Sequence, residues 1–120
     1  MREWLKELHR VADKGAILLL TTHGRSALQV IASSEVHQDM FSMTSREAIK
    51  ILEGFPKEPY VHLTYDDGVR AMAKAGDSYG NCFIAPAYIE EHWPKFGFEL
   101  LELIPGGMRG FQDIVLLRKS

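Results

Sequence analysis

The sequence predicts an α/β domain, and three observations carry that reading. An amphipathic helix leads through Gly15 into the short apolar run Ala16–Thr22, a second helix signal opens at Thr44, and the tail Phe98–Arg118 reads as two strands around a glycine-rich turn. Helix, glycine and buried strand in succession form half of a βαβ repeat. A chain of 120 residues, 46% hydrophobic and 25% charged, has ordinary globular composition and fits a single domain, residues 1–120.

A net charge of −2 offers no basic excess for nucleic acid or an anionic membrane, and neither is expected as a partner. The single cysteine, Cys82, leaves no internal disulfide and reads as a small buried apolar residue. The opening Met1–Glu7 is too charged for a secretory signal, and Ala16–Leu20 is far short of a membrane span. A cytoplasmic protein is expected.

In chain order, Trp4, Leu5, Leu8, Val11 and Ala12 share one helical face, and Gly15 reads as the glycine that ends the helix. Ala16–Thr22, apolar on both faces and bounded by glycines, reads as a buried strand of a parallel sheet. Ser26 with Gln29 fits a capping box for a short helix; Thr44 with Glu47 fits another, for a helix to about Glu53 that stops at Gly54. Phe55–Pro59 is a loop and Tyr60–Tyr65 a weakly alternating strand. Asp66-Asp67-Gly68 reads either as a turn or as the first turn of a helix to Ala75 capped by Thr64, and the helical spacing of Val69, Met72 and Ala73 favours the helix. Ser78–Ile84 reads as a strand, and Pro86 begins a short helix that ends near Pro94. Trp4 and Trp93 read as core anchors. In the tail, Phe98–Ile104 and Ile114–Leu117 are the apolar runs. Pro105, Gly106, Gly107 and Gly110 turn the chain, and Arg109, Gln112 and Asp113 are polar residues at the sheet edge.

Most reactive-site patterns fail. No two of the five histidines form an H-E-x-x-H pair. Gly24-Arg25-Ser26-Ala27-Leu28 departs from a nucleophile elbow at Leu28, which leaves Ser26 as a helix cap. Gly106–Gly110 leads into a strand with no Lys-Ser/Thr, so it is not a phosphate loop, and the absence of any G-x-G triplet removes the dinucleotide fingerprint. Two places remain, Thr22–Arg25 and Gly106–Asp113. If the 98–104 strand runs parallel to the 16–22 strand, His23, Arg25, Arg109 and Gln112 converge on one crevice at the strand ends.

Leu5–Val11 with Lys14–Gly24 resembles the helix and fifth strand of class I S-adenosylmethionine-dependent methyltransferases. The usual Lys-Pro-Gly-Gly-like turn is here Asp13-Lys14-Gly15-Ala16, with one glycine and no proline. Tyr79-Gly80-Asn81 and Ala85–Trp93 resemble the stretch before the sixth strand in a bacterial branch of the family, and Gly106-Gly107 through Phe111–Val115 resembles its final hairpin. The likeness is carried by both ends and not by 34–77. It implies a partial Rossmann-like methyltransferase sheet: the last three strands, the final one antiparallel between the other two, with flanking helices. The family's glycine-rich cofactor loop and acidic ribose ligand belong to its front half and have no counterpart here. The resemblance therefore implies the C-terminal, substrate-side part of a methyltransferase domain, as a fragment, a truncated gene product or one part of a split enzyme. Such a chain is inactive alone, although S-adenosylmethionine is the implied cofactor.

Methyl transfer needs positioning, exclusion of water and, for some acceptors, removal of a proton. His23, whose unshifted imidazole titrates near neutrality, is the candidate general base. Arg25, Arg109 and Gln112 orient a small polar acceptor, and Tyr79 and Asn81 line the mouth. The resemblance also implies an unpaired edge on Ala16–Thr22, open to a homodimer partner or a complementing N-terminal half. The competing reading is a non-catalytic α/β binding or dimerisation module. A third is a small metal-dependent hydrolase using His23 with Asp113.

Overall fold

The computed structural model describes residues 2–64 and 80–120, and begins with helix α1 (Arg2–Val11). Leu5 is buried and Leu8 half-buried on its inner face, whereas Trp4 is 50% exposed and anchors no core. The helix stops at Val11, so Gly15 is not its cap. Instead, the Ala16 amide bonds the Asp13 carbonyl at 2.9 Å, and Gly15, at φ +83°, takes the third position of that four-residue turn.

β1 (Ile17–Thr22) follows, then α2 (Arg25–Ser33), α3 (Glu35–Phe41) and α4 (Ser45–Gly54). Strands β2 (Tyr60–Thr64) and β3 (Gly80–Ile84) pair antiparallel. Helix α5 (Pro86–His92) runs into a 3-10 turn, Trp93–Phe96, that takes in Pro94. The chain closes with β4 (Phe98–Met108) and β5 (Gln112–Lys119). Thr44 and Glu47 form the expected reciprocal cap of α4, and Pro86 opens α5. The cap expected at Ser26 is absent: α2 starts two residues earlier than that cap implies, and Gly24 takes the N-cap position without a side-chain bond. The short α3, capped by Ser34, was not expected. The helix read over Asp66–Ala75, and the Ser78–Tyr79 start of the next strand, lie outside the described residues.

The main sheet has the order β1–β5–β4, with β5 antiparallel to both neighbours. β1 and β4 therefore run in the same direction on either side of a reversed strand. β1 is neither part of a parallel ladder nor buried on both faces. Leu18 and Leu20 turn toward the core, but Ile17 and Leu19 are 54% and 60% exposed, because α1, α5 and the 3-10 turn pack on one face only. Among the described residues the one parallel link at its end is the bridge from His23, just past β1, to Phe83, where the Ile84 amide bonds the His23 carbonyl at 2.8 Å.

Two apolar clusters meet at β3. Leu5, Ile84, Ile89, Trp93, Phe98, Val115 and Leu117 form the first, and Leu28, Ile31, Met43, Ala48, Phe55, Phe83 and Ala85 the second. Adjacent strand residues point to opposite faces, so Phe83 and Ile84 join different clusters. β4 is longer than its apolar run implies and passes through Pro105–Gly107. It accommodates them in an irregularity between Ile104 and Met108, opposite Asp113. No helix among the described residues is long and apolar enough to cross a membrane.

Candidate functional site

β1 ends where β5 begins, because Thr22 pairs with Asp113 across the ladder. That register brings His23 and Gln112 together: Gln112 Nε2 lies 3.3 Å from His23 Nε2. An amide N–H can only donate, so His23 Nε2 accepts and the ring proton sits on Nδ1. Three phenyl rings surround the imidazole. Phe41 meets it edge-on at 5.3 Å between centroids, Phe111 lies at 5.6 Å and Phe83 at 5.8 Å. Burial among these rings pushes the His23 pKa down, against the opposing pull of a backbone hydrogen bond with Cys82. The imidazole is therefore neutral, and able to accept a proton, at physiological pH.

Asp113, next after Gln112 on β5, is fully buried on the face that also carries Val115 and Leu117. Its Oδ1 accepts the Gly106 amide at 2.9 Å, a bond made possible by the extra residues of β4 facing it. Its Oδ2 and the Thr22 hydroxyl are buried without a hydrogen-bond partner among the described residues. Burial pushes the Asp113 pKa up, and the Gly106 bond pulls the other way. The folded state thus binds this proton more tightly than the unfolded chain. The carboxyl costs stability as pH rises through the unfolded carboxylate value of about 3.9, and the full cost applies above the folded value. Asp113→Asn keeps an oxygen for Gly106 and removes the charge. Thermal unfolding should show it more stable than the parent near neutral pH by about 1 kcal/mol, with the difference shrinking on acidification. A less stable variant at neutral pH would show that the charge is satisfied.

The other expected site residues are arranged differently. Arg25 is exposed at the first position of α2, and its guanidinium carbon sits 5.7 Å over the Phe55 ring, so it packs on the helical layer and not on His23. Arg109 is exposed in the β4–β5 turn at φ +55°, beside Gly110 at +73°, and the Phe111 amide closes that turn on the Met108 carbonyl at 3.0 Å. Asn81 pairs with Leu63 in the β2–β3 ladder, and Tyr79 lies outside the described residues. Cys82 is half-buried, with its sulfur 3.5 Å from the Tyr60 hydroxyl. Thr22 and Phe111 fall within the two segments singled out from sequence, whereas Phe41, from α3, had no sequence signal as a site residue. The signal for Asp113 was a carboxyl in phase with Val115 and Leu117.

Among the described residues no three His, Cys, Asp or Glu side chains group to hold a metal ion. At the strand–glycine–helix junction of Gly24, the space beside the glycine is filled by Asp113, whose Oδ2 lies 2.1 Å from where a Cβ would stand. Compared with protein families, curated proteins and solved structures, the chain has no match.

Proposed function

We propose that this chain is the C-terminal, substrate-side portion of an S-adenosylmethionine-dependent methyltransferase that acts on a small-molecule acceptor. The observation that carries the reading is the reversed strand β5 between like-directed β1 and β4, with His23 and Gln112 in contact where β1 ends and β5 begins. The cofactor supplies an activated methyl group, and a polypeptide other than these described residues holds it. The chain contributes the acceptor side. His23 takes a proton from the acceptor at Nε2, and Gln112 yields that position to the acceptor.

Calorimetry on the purified chain should give no micromolar binding of S-adenosylmethionine. Adding a polypeptide that carries a class I cofactor-binding half should create binding and methyl transfer, and His23→Ala should then lower turnover about 100-fold or more. Micromolar binding by the chain alone, or unchanged turnover in the His23 variant, would overturn the fragment reading or the base role respectively. The non-catalytic dimerisation module is favoured by a different observation, the exposed Ile17 and Leu19 on an edge strand. A cooperative, well-behaved dimer in size-exclusion chromatography would support it.

A further inference from the structure

We propose that the cavity between α1, β2 and the α5–3-10 segment binds a small methylated ammonium ion. It has a volume of about 240 Å³ and is lined by Tyr60, Tyr88, His92, Trp93 and Phe96, with Glu3 supplying a carboxylate. These residues come from separate parts of the chain, and the rings are mutually ordered. Tyr88 and His92, four apart on α5, stack at 4.3 Å between centroids, and Tyr60 meets Tyr88 at 6.0 Å. The Tyr60 hydroxyl contacts Cys82, and burial is the main cause that pushes its pKa up to about 12, so the phenol stays neutral.

The chemistry of the walls selects the ligand. Cation–π attraction reaches roughly 6 Å from a ring centroid, and aromatic side chains from β2, α5 and the 3-10 turn all border this cavity. A primary ammonium is strongly hydrated and needs several oxygen acceptors on entering. This lining consists of aromatic side chains, Leu5 and one carboxylate, a surrounding that suits a weakly hydrated methylated ammonium. An anion would meet the Glu3 carboxylate. The inference stands on this cavity alone and does not depend on methyl transfer.

The test is an NMR titration of the intact 120-residue chain with choline and with dimethylbutanol, its uncharged carbon isostere. Choline should shift the amides around Tyr88, His92 and Trp93 saturably, with a Kd on the order of 1 mM, and the isostere should bind about tenfold more weakly. Glu3→Gln, a surface change, should weaken choline several-fold and leave the isostere unchanged. Tyr88→Leu should remove most of the choline affinity in a chain whose amide spectrum is otherwise retained. Equal affinity for the two ligands would reduce the cavity to an apolar cleft, and the absence of saturable shifts at tens of millimolar would reduce it to a packing gap. Either result overturns the proposal and leaves the methyltransferase reading as it was.

Discussion

Replacing Trp93 by alanine is expected to cost about 3–5 kcal/mol, the largest single effect in this chain. The side chain is fully buried among Leu5, Ile89, Phe98, Val115 and Leu117, so it joins α1, α5 and strands β4 and β5 of the main sheet. Its removal leaves a cavity that strands on one side and helices on the other cannot collapse to fill. Domains of this size hold about 5–15 kcal/mol in total, so the variant should lose roughly 10–20 °C of Tm or unfold without cooperativity. Trp93→Phe should cost much less, because the indole N–H it removes has no partner among the described residues. Trp4→Ala is the control: half-exposed, Trp4 should change stability by less than about 1 kcal/mol. Equal losses at the two tryptophans, read by thermal unfolding, would contradict this core.

Gly24→Ala is the second large effect, and it acts at the candidate site. The φ there is −114°, so the constraint is space and not backbone strain. A methyl group would stand 2.1 Å from Asp113 Oδ2 and 3.2 Å from the Ile84 carbonyl oxygen. Asp113 cannot swing aside freely, because its other oxygen holds the Gly106 amide and its backbone is locked in the β1–β5 ladder. Overpacking of this kind costs about 1–3 kcal/mol, and disturbing a buried carboxyl adds to it. The variant should lose about 2–4 kcal/mol and the His23–Gln112 contact with it. Combining it with Asp113→Ala should recover about 1–2 kcal/mol relative to the sum of the single losses. Gly54→Ala, where nothing lies within 4 Å, should be neutral or slightly stabilising. An additive cycle would mean that Gly24 and Asp113 do not share the space argued here.

The elements that could be read from sequence were those set by local chemistry. Thr44 with Glu47 announced α4, Pro86 announced α5, and the apolar runs at 17–22 and 114–117 announced two strands of one sheet. Readings that needed a neighbour failed. Trp4 and Trp93 look alike as residues, yet only Trp93 faces a packed partner. Ser26 has the cap pattern, but the register of β1 carries the chain into α2 at Arg25, so Gly24 occupies the cap position. Ile17–Thr22 looks apolar on both faces, yet helices cover only one of them.

The candidate site divides in the same way. His23 and Gln112 were singled out as polar residues at strand ends, and the antiparallel register joins them. Arg25 belonged to the same segment but is drawn over Phe55, and Arg109 projects from a turn whose shape is set by its backbone and Gly110.

By itself the amino-acid sequence determined the kind and order of most elements, because periodicity, caps and turn residues act within a few positions of one another. Only the tertiary structure decided which face of each element is buried, that Asp113 closes the space beside Gly24, and that Glu3, Tyr60, Tyr88, His92, Trp93 and Phe96 border one cavity. Those outcomes depend on contacts between residues distant in the chain, where packing and desolvation, and not local propensity, set the free energy.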